Sequence, residues 1–341
     1  MSDSYPPFAS TYPGEPQREV WITLPKRRLW LHLLLFALTM FTTLAVGARL
    51  SYNYSHDLPA FDLENDLNPF SGISADPWRL LDGIPFSATL LSILLLHEMG
   101  HYLTCRHYGI AASYPYFIPA PTIIGTMGAF IRIKSRIGSR RALFDVGVSG
   151  PLAGFLLALP LLVVGLAKSK VTPDLLLNGS LNFGNPPLLL LLDSLFHPGV
   201  PALRIYMHPM ARAAWVGLFA TALNLLPVGQ LDGGHILYAV DRRWHHVVSR
   251  LVVAALGLPM FLLAASWLLA RWLPFSNQLA TLIENNYWHG WFIWSAVLLI
   301  LGTRHPPILD SVSLNRNRRG LAWAALAVFL LCFTPTPFLA S

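Results

Sequence analysis

Charge is scarce in this chain. Asp, Glu, Lys and Arg make up 12% of its 341 residues, where a soluble domain carries about a quarter. That shortage excludes a string of ordinary soluble domains. Acidic residues are the scarcer sign, 17 against 24 Lys and Arg, for a net charge of +7. The surplus does not point to nucleic acid, because no basic stretch is interleaved with aromatics. Cysteine is nearly absent. Cys105 and Cys332 fall near the end of one apolar run and inside another, which excludes a disulfide framework and reads as two small buried residues. The first residues, MSDSYPPFASTYPGEPQREV, lack the basic-then-apolar layout of a cleaved signal. The first apolar run is therefore expected to stay as an anchor.

What is abundant is hydrophobic sequence, 54% of the chain. Several runs approach the ~20 apolar residues that cross a bilayer. The expected fold is an all-α polytopic membrane protein with about seven transmembrane helices. Residues 1–28 read as a disordered cytoplasmic tail ending in Lys26-Arg27-Arg28, and residues 29–80 as a first span (Leu29 to Leu50) plus an acidic loop. Residues 81–245 hold the second span to Tyr102, the third from Leu143 to Ala167, and a fourth from Met210 to Leu226 that breaks at Pro227. Residues 246–341 supply the remaining spans, Val247 to Leu269, Tyr287 to Gly302 and Leu321 to Leu339. The apolar piece Leu188 to Phe196 is too short to cross and is expected at the interface.

One apolar segment cannot be a continuous helix. Tyr114 to Pro121 carries three prolines, each removing a donor and restricting its predecessor. The following Gly125 to Lys134 alternates like a strand or hairpin. Non-helical backbone survives at membrane depth only under cover of protein or beside a water-filled cavity. A small re-entrant or interfacial β-hairpin is therefore expected beside the active site. With the N-terminus cytoplasmic, most of the 24 Lys and Arg fall on the inner side, as the positive-inside rule favours. That orientation also brings His97, His101 and Asp232 to similar depth near the cytoplasmic side.

The chemistry centres on Leu91 to His101, an apolar run ending in His97-Glu98-Met99-Gly100-His101. On a helix, His97 and His101 are one turn apart and share a face. Two imidazoles there can grip one metal ion, with Glu98 in reach of a water, the H-E-x-x-H pattern of zinc peptidases. Chance produces it in roughly 1 such chain in 200. A catalytic zinc takes three protein ligands and an open position, so one zinc ion per chain needs a third. Asp232, in Leu231-Asp232-Gly233-Gly234, is the strongest candidate; taken alone it would read as a turn or capping aspartate. Glu98 would be general base and then acid. Asn224, two turns before Asp232, could donate to the oxyanion, although alone it reads as a helix-packing residue. His235, His245 and His246 read as surface or packing residues, and His107 as interfacial.

These residues resemble the site-2 protease family of intramembrane zinc metalloproteases. The likeness is carried by His97 to His101, by Asn224-Leu-Leu-Pro-Val-Gly-Gln-Leu-Asp232-Gly-Gly, and by Ser149 to Gly154 and Gly128-Ala129-Phe130-Ile131. It spans about residues 80 to 245. The resemblance implies His97, His101 and Asp232 as ligands, Glu98 as base, Asn224 as helper, and Gly128 to Ile131 as an edge strand pairing with unwound substrate. The loops are too short for the PDZ domain that many members carry. The stretches Tyr114 to Pro121 and Gly128 to Ile131 are similar to those of the plant chloroplast branch, but the long Ser- and Arg-rich leader of a chloroplast precursor is not expected here. A multi-pass protein of a bacterial inner membrane, cleaving transmembrane protein substrates in regulated proteolysis, is expected. The competing readings are a catalytically silent scaffold, which the intact Glu98 argues against, and a metal transporter. A transporter would need polar residues through the full depth of several spans.

Overall fold

Backbone in hydrocarbon must satisfy its own hydrogen bonds, and the apolar runs do so as helices. The computed structural model describes residues 29–61, 76–172, 181–269, 275–308, 310 and 312–340. The expected N-terminal tail and most of the acidic loop lie outside the described residues. The helix α1 (Leu29–Ser55) is followed by a 3-10 turn (Pro77–Gly83) and α2 (Ile84–His107). Pro85 sits in the first turn of α2, where its missing N–H breaks no helical bond. The hairpin of β1 (Tyr116–Pro119) and β2 (Thr126–Phe130) comes next, then α3 (Arg140–Ala167). After it come β3 (Lys170–Val171), β4 (Leu181–Phe183), α4 (Pro187–Phe196) and β5 (Ile205–Tyr206). The chain continues through α5 (Pro209–Asn224), α6 (Asp232–Val240), α7 (Arg242–Leu269), α8 (Phe275–Asn286), α9 (Gly290–Leu301), α10 (Arg316–Cys332) and β6 (Phe338–Ala340).

Among the described residues, four helical stretches are long and apolar enough to cross a membrane: Leu29–Ser55, Pro77–His107, Arg140–Ala167 and Arg242–Leu269. The other expected spans are shorter, so the count of seven is not established. The 16 residues of α5 cover about 24 Å, short of a ~30 Å hydrocarbon core. Its sides are nonetheless enclosed, with Ala211, Ala213, Ala214, Trp215, Leu218 and Ala222 at 0–1% exposure. α9 has 12 residues. The last helix stops at Cys332, well before the expected Leu339. Pro335 and Pro337 cannot donate to a helix, and the chain instead pairs β6 with β4, Leu181 to Ala340 and Phe183 to Phe338.

The core is the set α2, α3 and α5, with α6 laid against α3. α7 and α9 form a second group around Leu226, Val253, Leu256, Trp291 and Leu298. The expected hairpin is present: β1 and β2 are antiparallel, with Tyr116 opposite Phe130 and Phe117 opposite Ala129. It rests on α1. The Phe36 and Phe117 rings are 5.0 Å apart, His32 Nδ1 is 3.1 Å from the Pro115 carbonyl, and the Thr42 hydroxyl donates to the Gly125 carbonyl at 2.6 Å.

Candidate metal and active site

The site is assembled on the C-terminal half of α2. His97 lies about 20 Å along this helix from its first residue, and His97, Glu98 and His101 are all buried, at 5%, 6% and 5% exposure. Room for the two rings comes from α3. A Cβ added to Gly150 would lie 2.1 Å from His101 Nε2, and one added to Gly154 would lie 3.2 Å from His97 Nδ1. Each imidazole therefore rests on a glycine, and the four-residue spacing on α2 is matched by the same spacing on α3. The Val146 carbonyl accepts from His101 Nδ1 at 2.7 Å. That bond places the remaining lone pair on Nε2, which faces the centre of the site.

The third arm arrives from α5 and α6. α5 ends at Asn224, the chain breaks at Pro227, and Asp232 opens α6. The turn is so tight that a Cβ on Gly233 would meet the Leu225 carbonyl oxygen at 2.0 Å; only glycine permits it. Asp232 Oδ2 comes 3.4 Å from His97 Nε2 and 3.3 Å from His101 Nε2. The two imidazole Nε2 atoms are 3.2 Å apart.

These distances test whether the residues fit a metal ion. Three ligand atoms on a tetrahedron with zinc bonds of about 2.0–2.1 Å stand about 3.3–3.4 Å from one another. The observed triangle has that size, and it joins lone pairs of two imidazoles to a carboxylate oxygen, a donor set zinc takes readily. Among the described residues, His97, His101 and Asp232 are the one such group that could hold a metal ion.

Two further expected residues border the triangle. Asn224 Nδ2 is 3.2 Å from His97 Nε2. The backbone of Ile131, just past the end of β2, stands near the Glu98 carboxylate. Of the expected edge strand, Gly128, Ala129 and Phe130 belong to β2, while Ile131 lies just past its end. Phe130 is exposed and stacks on Tyr116 at 5.4 Å. The other histidines stay out of the cluster. His245 is fully buried with Nε2 3.1 Å from the Gly229 carbonyl, His235 Nδ1 pairs with His305 Nε2 at 2.9 Å, and His107 is exposed. Cys105 and Cys332 are buried and free. In the sequence, Ser149 to Gly154 stands only as one of the stretches that carry the family resemblance. The specific use of Gly150 and Gly154 was signalled by their spacing, which repeats that of His97 and His101.

Comparison with known proteins bears on this geometry. The chain is 33% identical over 223 residues to Probable zinc metalloprotease EGY1, chloroplastic, of Oryza sativa subsp. japonica, covering 61% of this chain and 38% of that protein. It is 37% identical over 160 residues to the protein of the same name from Arabidopsis thaliana, 44% of this chain and 28% of the other. It is 31% identical over 274 residues to Probable zinc metalloprotease EGY2, chloroplastic, of Arabidopsis thaliana, 76% of this chain and 45% of the other. The chain thus spans less than half the length of each of these relatives. Their names place them in chloroplasts, so the expectation of a bacterial inner membrane draws no support from them. No solved structure matches the chain. The model of peptidase family M50 matches residues 85–265, slightly more than half of the chain and the whole of the His97–Asp232 constellation. The chain belongs to peptidase family M50, the site-2 protease family.

Proposed function

We propose that this protein is an intramembrane zinc metalloendopeptidase that hydrolyses peptide bonds of membrane-anchored proteins near the cytoplasmic side, in regulated proteolysis. The observation that carries this reading is the 3.2–3.4 Å triangle of His97, His101 and Asp232 beside a buried Glu98. His97, Glu98 and His101 are buried on α2, part of an apolar stretch long enough to cross a membrane, and Asp232 reaches them from the start of α6. The catalytic unit is residues 81–245, with 29–80 and 246–341 as flanking membrane segments. α5, α9 and α10 are proposed to cross alongside the four longer helices, for about seven spans in all. The N-terminus is placed on the cytoplasmic side with the basic 132–141 loop. Reporter fusions finding that loop outside would reverse the sidedness.

His97, His101 and Asp232 hold the zinc. Zinc in this site supplies Lewis acidity, activating a water and polarising the scissile carbonyl. Glu98 takes a proton from that water on a carboxylate oxygen and returns it to the leaving amine. The Asn224 side-chain NH₂, already directed at the same point, donates to the carbonyl oxygen as negative charge develops there. The edge of β2 around Gly128, Ala129, Phe130 and the following Ile131 receives the substrate. A peptide bond within a substrate helix is shielded, and pairing with a strand edge would hold it extended. Ile131 then connects the docking strand to the base.

Membrane proteomics of cells carrying wild type or Glu98→Ala tests this function. Fragments of membrane proteins should appear only with wild type, and the purified protein should hold about one zinc per chain, as a single three-ligand site requires. Equal fragment patterns would remove the protease reading. Zinc retained after His97→Ala and Asp232→Ala would remove the ligand assignment.

A further inference from the structure

We propose that Arg318, on a helix outside the region matched by the family model, is a positioning residue for the metal site. Resting on the metal-site reading above, this assigns α10 the role of a strut on the catalytic helix pair. Arg318 Nε donates to Asp145 Oδ1 at 2.9 Å and its Nη2 to Asp145 Oδ2 at 2.6 Å. The Tyr108 hydroxyl donates to the same Oδ2, and Arg318 Nη2 lies 3.2 Å from that hydroxyl.

The neighbours of this triad give it meaning. Asp145 precedes Val146, whose carbonyl holds His101 Nδ1 at 2.7 Å. Tyr108 is the C-terminal cap of α2, two turns beyond His101. Two successive residues of α3 thus grip α2 at two places, one on a ligand imidazole and one at the end of the helix. The register of the ring over Gly150 depends on both. Asp145 can serve only while its carboxylate is held, and Arg318 holds it through a two-point fork that a single-point charge cannot reproduce. Both side chains are about a fifth exposed, 21% and 22%, so the pair is better shielded than a surface ion pair of little worth. Arg318 is in turn fixed by its own helix start, where the Asn315 side chain accepts from the Arg318 N–H at 3.1 Å.

The same end of the molecule carries further ties. Asp310 Oδ2 accepts from the Arg140 N–H at the start of α3, at 3.1 Å. Arg140 Nε donates to the Ala239 carbonyl near the end of α6, the helix that Asp232 opens. Arg242 Nη2 donates to the Asp310 carbonyl at 2.9 Å. The segment leading into α10 therefore spans the ends of α3 and α7, and Arg140 extends the tie to α6. Arg318 is its contact with the pair that orients His101.

The test uses the full-length protein in nanodiscs with two readouts. The first is zinc remaining on the protein against rising chelator. Substituting a group that orients a ligand costs 10–100-fold in metal affinity. One bond further out, Arg318→Gln is expected to release zinc at about threefold to tenfold lower chelator, and Arg318→Lys in between. The second is amide hydrogen exchange of the zinc-free protein. Exchange should quicken in His101 to Tyr108 while amides of α7 stay at wild-type rates. A merely structural role would quicken both regions and leave zinc retention unchanged. The exchange arm reads the strut even in a protein that binds no zinc, so a failed metal site and a failed strut give different results. If Arg318→Gln does not accumulate, Arg318→Lys and Tyr108→Phe report the same two quantities. Wild-type zinc retention together with wild-type exchange in His101 to Tyr108 would overturn the proposal.

Discussion

The two helical groups of this molecule are built to different tolerances. In α2, α3 and α5 large buried side chains such as Phe86, Phe144 and Trp215 pack around a few glycines that leave no room for a Cβ, and a polar contact, the Val146 carbonyl accepting from His101 Nδ1 at 2.7 Å, orients a ligand ring. In α7 and α9 the outward residues are large and apolar. Leu268 is 79% exposed, Ile300 85% and Phe261 63%, a surface suited to lipid. The first group holds chemistry in place; the outward face of the second needs only to be apolar and helical. One group should therefore fail on the addition of a single methyl, and the other should tolerate the loss of most of a side chain.

The strongest test of that contrast is Glu98→Ala. Removing the base should lower substrate cleavage by about 10²–10⁴-fold with zinc retained, read as rate and metal content on the same sample. Gly150→Ala comes next. A Cβ 2.1 Å from His101 Nε2 must displace the ring, so zinc affinity should fall by about 10–100-fold, measured by chelator competition. Asn224→Ala should reduce kcat by about 10²-fold with little change in zinc content, as for the loss of one oxyanion donor. Leu268→Ala, on the outer face of α7, should change neither cleavage nor zinc, and should shift stability within about 0.5 kcal/mol. A large effect there would mean that the C-terminal group participates in the site after all.

Reading the sequence alone succeeds where the signal is local. The histidine pair sits one helical turn apart in an apolar run, and the Asp232 turn is marked by Pro227 and two glycines, so both are visible in short windows. The prolines from Pro115 to Pro121 and the alternation after Gly125 gave the hairpin. The last helix was expected to reach Leu339 because hydropathy continues through Phe338 and Leu339, whereas Pro335 and Pro337 decide its end. What stayed hidden depends on distant partners. The Arg318 fork reaches Asp145 across 173 positions, and β4 meets β6 near the C-terminus. No periodicity within either segment announces the other. The glycine bed under the histidines is an intermediate case, since its spacing was present but had no meaning until α2 and α3 lay side by side.

That bed has a consequence for motion. A shift of α2 along α3 by one residue, about 1.5 Å with a turn of about 100°, would bring Ser149 or Pro151 under His101 and destroy the fit. The helix pair is therefore an unsuitable gate. The hairpin is different. It is fastened to the first half of α1 through His32, Phe36 and Thr42, and α1 joins α2 further along, where the Thr43 and Ser87 hydroxyls are 2.7 Å apart. The hairpin's ties to α1 are thus separate from the α2–α3 register that seats the two imidazoles.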